Sequence, residues 1–189
     1  MKANWRRGLS RVLAPAALVV GICGGVAVAC LQLARMIGAR VFVTSSSDEK
    51  IERARALGAE AGVNYRKDPV SKAIRDMTHG VGVDMVIDSV GEASWGESLR
   101  SLRRGGRLIT CGATTGSNPP SEIQRLFIRQ LEIYGSTGGS IREFRELLDV
   151  FNRGLLMPVV DGTFAMREIR AAFDRLAAGA QFGKISLVV

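Results

Sequence analysis

Between a short apolar run and a longer one lies Gly21-Ile22-Cys23-Gly24-Gly25-Val26-Ala27, and a turn of that composition suits one kind of chemistry. Glycines at 21, 24 and 25 let the backbone approach an anion closely, and the amides opening a following helix would point at it, so a diphosphate is the ligand expected. The spacing departs from G-x-G-x-x-G: with Gly24 in the middle place, Ile22 holds the first and Ala27 the third. Taken alone, the turn leaves open a strand-to-helix connection that binds nothing. A second group follows at Ser45, Ser46, Ser47 and Lys50. A site for NADH normally offers Asp or Glu to the ribose hydroxyls at the end of the second strand, and no acid stands there. Hydroxyls with a lysine would hold a ribose 2′-phosphate that an acid would repel, which favours NADPH over NADH. The plainer reading of these residues is Ser47 as a helix N-cap with Lys50 in solvent. His79, the single histidine, sits in Thr78-His79-Gly80-Val81-Gly82 and reads as a turn residue rather than a catalytic base.

The elements that would position these groups alternate regularly. Strands are expected at 17–20, 40–44, 62–65, 85–88, 107–111 and 131–135, and helices at 26–37, 48–57, 70–77, 95–102 and 122–130. Six strands alternating with helices imply an α/β Rossmann fold, a doubly wound parallel six-stranded sheet, over residues 16–137. Asp88 would then close the fourth strand at the sheet's carboxyl edge. After Ser136 the beat changes: helices at 141–152 and 166–177 and extended segments at 157–160 and 184–188 form a C-terminal appendage, residues 138–189, whose strands find no evident partner within the chain. The sixth strand would be an exposed edge, through which a homodimer is expected.

Composition narrows the classes. With 189 residues, 47% of them hydrophobic, the chain can bury a core and is no disordered segment. The formal net charge of +8 invites a polyanionic partner. The distribution argues against nucleic acid, because Arg6, Arg7 and Arg11 cluster at the start while Arg103, Arg104, Arg125 and Arg142 are scattered, and two Tyr and two Trp make no stacking platform. Cys23, Cys30 and Cys111 are odd in number and form no C-x-x-C pair, so neither a disulfide framework nor a metal site is signalled, and a reducing, cytoplasmic setting is expected. Residues 12–34 carry no charge and follow the arginines, as in an exported or membrane-anchored protein; Pro15, Gly21, Gly24 and Gly25 instead divide that run into strand, turn and helix.

Several segments together resemble the medium-chain dehydrogenase/reductase superfamily, in its quinone oxidoreductase and zinc-binding alcohol dehydrogenase branch: Gly24-Gly25-Val26, Thr44-Ser45-Ser46-Ser47-Asp48-Glu49-Lys50, Leu57-Gly58-Ala59, Asn64-Tyr65-Arg66, Gly82-Val83-Asp84, Ile87-Asp88-Ser89-Val90-Gly91, Gly105-Gly106-Arg107 and Gly183-Lys184. They occur in the right order from about residue 17 to the C-terminus. The resemblance implies that Lys50 and Tyr65 approach the adenosine 2′-phosphate, and that Val90, Cys111, Gly112, Gly135 and Ser136 line the path toward the nicotinamide. Tyr65 as a strand-end aromatic and Cys111 as a small buried residue are the plain alternatives.

In that family the zinc ligands, the substrate pocket and the proton relay lie mostly in a domain preceding the Rossmann domain, which residues 1–15, a leader of unclear role, are too short to supply. No Gly-His-Glu segment and no four-cysteine lobe is present, so no zinc site is expected. The resemblance thus implies an NADPH-dependent oxidoreductase lacking its N-terminal catalytic domain, through truncation, a mis-started frame or pairing with a separate catalytic half. Its catalytic residues and substrate are not specified by the sequence, and the isolated chain would turn over poorly or not at all. Two other readings stay open at this level: a nucleotide-binding module without turnover, and an N-terminally anchored or exported protein.

Overall fold

The computed structural model describes residues 14–189; most of the leader, with Arg6, Arg7 and Arg11, lies outside them. Among the described residues eight strands and seven α-helices follow in order: β1 (Ala16–Val19), α1 (Gly25–Met36), β2 (Arg40–Ser45), α2 (Asp48–Ala56), β3 (Ala61–Asn64), α3 (Val70–Met77), β4 (Val83–Asp88), α4 (Glu92–Ser101), β5 (Leu102–Thr110), α5 (Ile123–Arg129), β6 (Glu132–Gly135), α6 (Ile141–Asn152), β7 (Val160–Ala165), α7 (Ile169–Ala177) and β8 (Lys184–Val188). The first six strands make one parallel sheet in the order β3-β2-β1-β4-β5-β6. The chain therefore has the α/β Rossmann fold, with the strand order reversing between β1 and β4. The uncharged run near the N-terminus is split between β1 and the 12-residue α1, and among the described residues no helix is long and apolar enough to cross a membrane.

Strand alternation sends side chains to two apolar layers. From β1, Ala16 and Leu18 join Phe42, Ile74, Leu99 and Leu108 on one face of the sheet. Ala17 and Val19 join Val28 and Leu31 of α1 on the other, where Phe182 of the C-terminal segment is also buried. Both faces are covered, which is why β1, β2 and β4 are nearly continuous apolar runs.

The C-terminal segment departs from expectation. Its strands are not partnerless: β7 and β8 pair in parallel, with α7 as the crossover between them. The first of these strands also begins three residues later than the extended run at 157–160, because Val-rich sequence marked the approach to the strand, while Asp161 and Gly162, poor strand formers, lie inside it.

Asp161 ties this unit to the Rossmann body. Its carboxylate, 1% exposed, accepts from Arg53 of α2 at 2.8 Å and from Arg175 of α7 at 2.7 Å, and Arg53 also lies over the Phe182 ring, 4.6 Å from its centre. Burial opposes the charge, but the bonds from Arg53, Arg175 and the Phe182 amide outweigh it and hold the carboxyl below the usual aspartate value. A depressed folded-state pKa means stabilisation that is present above the unfolded value, about 4, and is lost as pH falls through the folded one. Asp161→Asn is expected to destabilise the chain by about 1–2 kcal/mol at pH 7, the arginines being partly solvated, with the gap closing below about pH 4; thermal melts of the two proteins across that range would show it.

Candidate functional site

Along the carboxyl edge of the sheet three features stand side by side. In the middle is the β1–α1 turn. Gly21 adopts φ +69°, a left-handed conformation, and donates its amide to Thr44 Oγ1 at 2.9 Å; a Cβ there would stand 2.9 Å from Val90 Cγ2. Gly24 is the N-cap of α1 with no side-chain cap, and nothing lies within 4 Å of where its Cβ would be, so the backbone at the start of α1 is open on that side. Against Gly25 lies the side chain of Lys184, its Nζ 2.8 Å from the position a Cβ would take. The turn is held in place from both sides: Ile22 N–H donates to the Thr44 carbonyl at 2.7 Å, and Gly183 N–H to the Cys23 carbonyl at 2.7 Å.

On the α3–α4 side of this turn is a cavity of about 290 Å³, lined by Val20, Gly21, Thr44, Tyr65 and Val90 among others. Glu97 lies in its wall, accepting from the Ser71 amide at 2.6 Å and from Arg100. Burial works against the Glu97 charge, and these donors still hold its carboxyl below the ordinary glutamate value. On the other side, past β5 and β6, an open groove of about 470 Å³ is lined by Thr110, Cys111, Gly112, Ala113, Gly135, Ser136 and Thr137. Burial and the nearby Asp88 raise the Cys111 thiol above its usual pKa, so it presents a neutral thiol to the groove at pH 7.

Asp88 organises the rim between cavity and groove. Fully buried at the end of β4, it accepts from the amides of Val90 (2.8 Å) and Gly91 (3.1 Å) and from the hydroxyls of Ser94 (2.7 Å) and Ser98 (2.6 Å). Its own carbonyl accepts from Cys111 N–H at 3.1 Å.

The expected site residues are thus distributed along one edge. Gly21, Gly24, Gly25 and the exposed Val26 form the turn and the first helical residues; Tyr65 and Val90 line the cavity; Cys111, Gly112, Gly135 and Ser136 line the groove. Ser46, Ser47 and Lys50 stand beyond β2, outside both linings. Ser47 is the N-cap of α2, accepting from Lys50 N–H at 3.4 Å, and the Lys50 ammonium, at the surface, donates to the carbonyl of Gly179. His79 adopts φ +54° in the α3–β4 turn, as a turn residue does. Sequence reasoning missed the positioning roles of Thr44 and Lys184. The Gly183-Lys184 pair was visible as a motif, but only the folded chain brings it to the start of α1.

The edge fits a dinucleotide: an open glycine cradle with a cation beside it, a cavity on one side and a shallower, more open groove on the other. Zinc does not fit in the same way, since among the described residues no three His, Cys, Asp or Glu side chains gather as a metal site would need.

Comparison with known proteins agrees with this geometry. Residues 25–153 match the family model described as zinc-binding dehydrogenase. The zinc-type alcohol dehydrogenase-like protein of Schizosaccharomyces pombe is 37% identical over 178 residues, covering 91% of this chain and 51% of that protein. The crystal structure of an NAD-dependent alcohol dehydrogenase superposes with a TM-score of 0.86 at 34% identity, over 93% of this chain and 52% of that one. A quinone oxidoreductase from Pseudomonas syringae pv. Tomato DC3000 gives 0.80 at 26% identity, over 97% and 59%. The chain spans about half the length of the first curated relatives it matches. With its sheet order, its glycine turn and a family match over most of its length, the chain belongs to the zinc-binding dehydrogenase family.

Proposed function

We propose that this chain holds NADPH along the carboxyl edge of its sheet and is the cofactor-binding half of an oxidoreductase of the alcohol dehydrogenase or quinone reductase type. The observation that carries the reading is the pairing of the uncapped, unobstructed α1 N-terminus at Gly24 with the Lys184 ammonium beside Gly25. A pyrophosphate placed there meets helix amides and a lysine together. Its adenosine would enter the cavity beside Tyr65 and Val90, and its nicotinamide would lie in the groove at Cys111, Gly112, Gly135 and Ser136. The cofactor supplies hydride chemistry; these residues orient it and shield one of its faces. Ser46, Ser47 and Lys50 beyond β2, with no acid at the strand end, favour the 2′-phosphorylated form over NADH. A substrate pocket and proton relay belong, on this reading, to the remainder of the relatives' length, whether on a longer or a separate chain, and the isolated chain acts as a holding module with little turnover. The free cysteines Cys23, Cys30 and Cys111 accord with a reducing, cytoplasmic setting. Ile133 and Tyr134 are exposed on β6, the last strand of the sheet, which supports a homodimer joined at that edge.

Fluorescence titration with NADPH and NADH tests the reading. Lys184→Ala is expected to weaken both nucleotides about tenfold, since both carry the pyrophosphate, whereas Lys50→Ala should weaken NADPH alone and bring it to the NADH level. Equal affinity of the unaltered chain for both nucleotides would overturn the 2′-phosphate reading, and binding of neither would overturn the site.

A further inference from the structure

The turn that joins α7 to β8 touches the nucleotide edge at both of its ends. At one end the Gly179 carbonyl, at the negative terminus of α7, takes the ammonium of Lys50. At the other, Gly183 donates to the Cys23 carbonyl and Lys184 lies along Gly25. The second end is anchored: Phe182 is 1% exposed under Arg53, and Lys184 N–H donates to the Val159 carbonyl at 2.8 Å. The first end is tied to its own helix, the amides of Ala178, Gly179 and Ala180 donating to the carbonyls of Asp174, Leu176 and Arg175, and to α2 through the Lys50 bond. Gly179 adopts φ +59°, and between it and Phe182 the Gln181 side chain is 7% exposed with its Oε1 buried and without a hydrogen-bond partner. A buried acceptor left unpaired costs the closed turn some stability, which the Lys50 bond offsets.

We propose that residues 178–181 form a latch that reads the cofactor's 2′-phosphate. The phosphate dianion is a stronger partner for the Lys50 ammonium than a neutral carbonyl is, so its arrival draws Lys50 away from Gly179 and frees this turn, while a dinucleotide lacking the phosphate leaves the latch shut. The inference rests on the NADPH reading above and adds what that binding does to the C-terminal unit. The latch discriminates between NADPH and NADH by what it releases, and it gives the β7–β8 unit a looser attachment to α2 only when the phosphorylated cofactor is held.

Hydrogen–deuterium exchange on the full chain, read over the peptide spanning residues 174–182 with nucleotide fluorescence followed in parallel, is the test. Saturating NADPH should speed exchange there about tenfold, the factor for losing one hydrogen bond to a charged group, and saturating NADH should not. Lys50→Gln should exchange fast without nucleotide and respond to neither. NADPH that binds yet leaves this peptide's exchange unchanged, or slows it, overturns the latch and leaves the cofactor reading standing. Fluorescence that reports no NADPH binding overturns both.

Discussion

Asp88→Ala is expected to cost the domain about 3–5 kcal/mol, because it strips the acceptor from four buried or part-buried donors at once. The amides of Val90 and Gly91 and the hydroxyls of Ser94 and Ser98 all end on this one carboxylate, which is 0% exposed. The loss is a large fraction of the 5–15 kcal/mol that holds an ordinary domain, so the variant should be only marginally folded at 25 °C. Asp88→Asn keeps an oxygen but turns one half of the group into a donor facing donors, and should fall in between. Urea unfolding of the three proteins would rank them. If all three unfold alike, the hub has been misread and Asp88 serves only the shape of the turn.

Gly183→Ala is expected to be the most damaging change in the C-terminal segment. Gly183 adopts φ +102°, and an added Cβ would run into the backbone of Val159, whose carbonyl oxygen it would meet first and whose carbonyl carbon would stand 3.0 Å away. Backbone cannot swing aside as a flexible side chain can, so the turn must break its bond to Cys23 or part β8 from β7. About 2–4 kcal/mol is the expected loss, and since Lys184 is the next residue, nucleotide affinity should drop at least tenfold with it. Circular dichroism melts together with the NADPH titration would separate the two effects. An unchanged affinity in a folded variant would mean Lys184 does not act on the pyrophosphate.

Much of this architecture was legible in the residues because a parallel sheet covered on both sides leaves a plain signature: apolar runs at β1, β2 and β4, each followed by a helix. The elements were found within a residue or two in most cases. The exception in the sheet was β5, expected from Arg107 but beginning at Leu102. Its register against β4 jumps between Val83↔Leu102 and Met85↔Arg107, and Gly105, at φ +67°, lies in that irregular stretch, so alternation is broken where the strand starts. In the tail, the pairing of β7 with β8 was hidden because a two-stranded parallel unit has no local turn to announce it. At the site, the glycine turn and the small residues of the groove were readable from type and order alone. Thr44, Asp88 and Lys184 were not readable as partners, since what each does depends on a residue distant in sequence: Gly21, Ser98 and Gly25.

The placement of Lys184 against Gly25 has a consequence for how this protein is born. The glycine turn leaves the ribosome well before the lysine that faces it, which follows only after all six strands of the sheet and α7 have been made. At translation rates of roughly 5–20 residues per second the turn waits on the order of ten seconds for its cation. During that interval the nascent sheet offers helix amides with no nearby lysine, a much poorer hold on an anion. On the nucleotide site proposed above, a nascent chain whose synthesis halts before residue 184 would thus fold a recognisable sheet and hold a nucleotide poorly, so that retention would mark chains translated through β8.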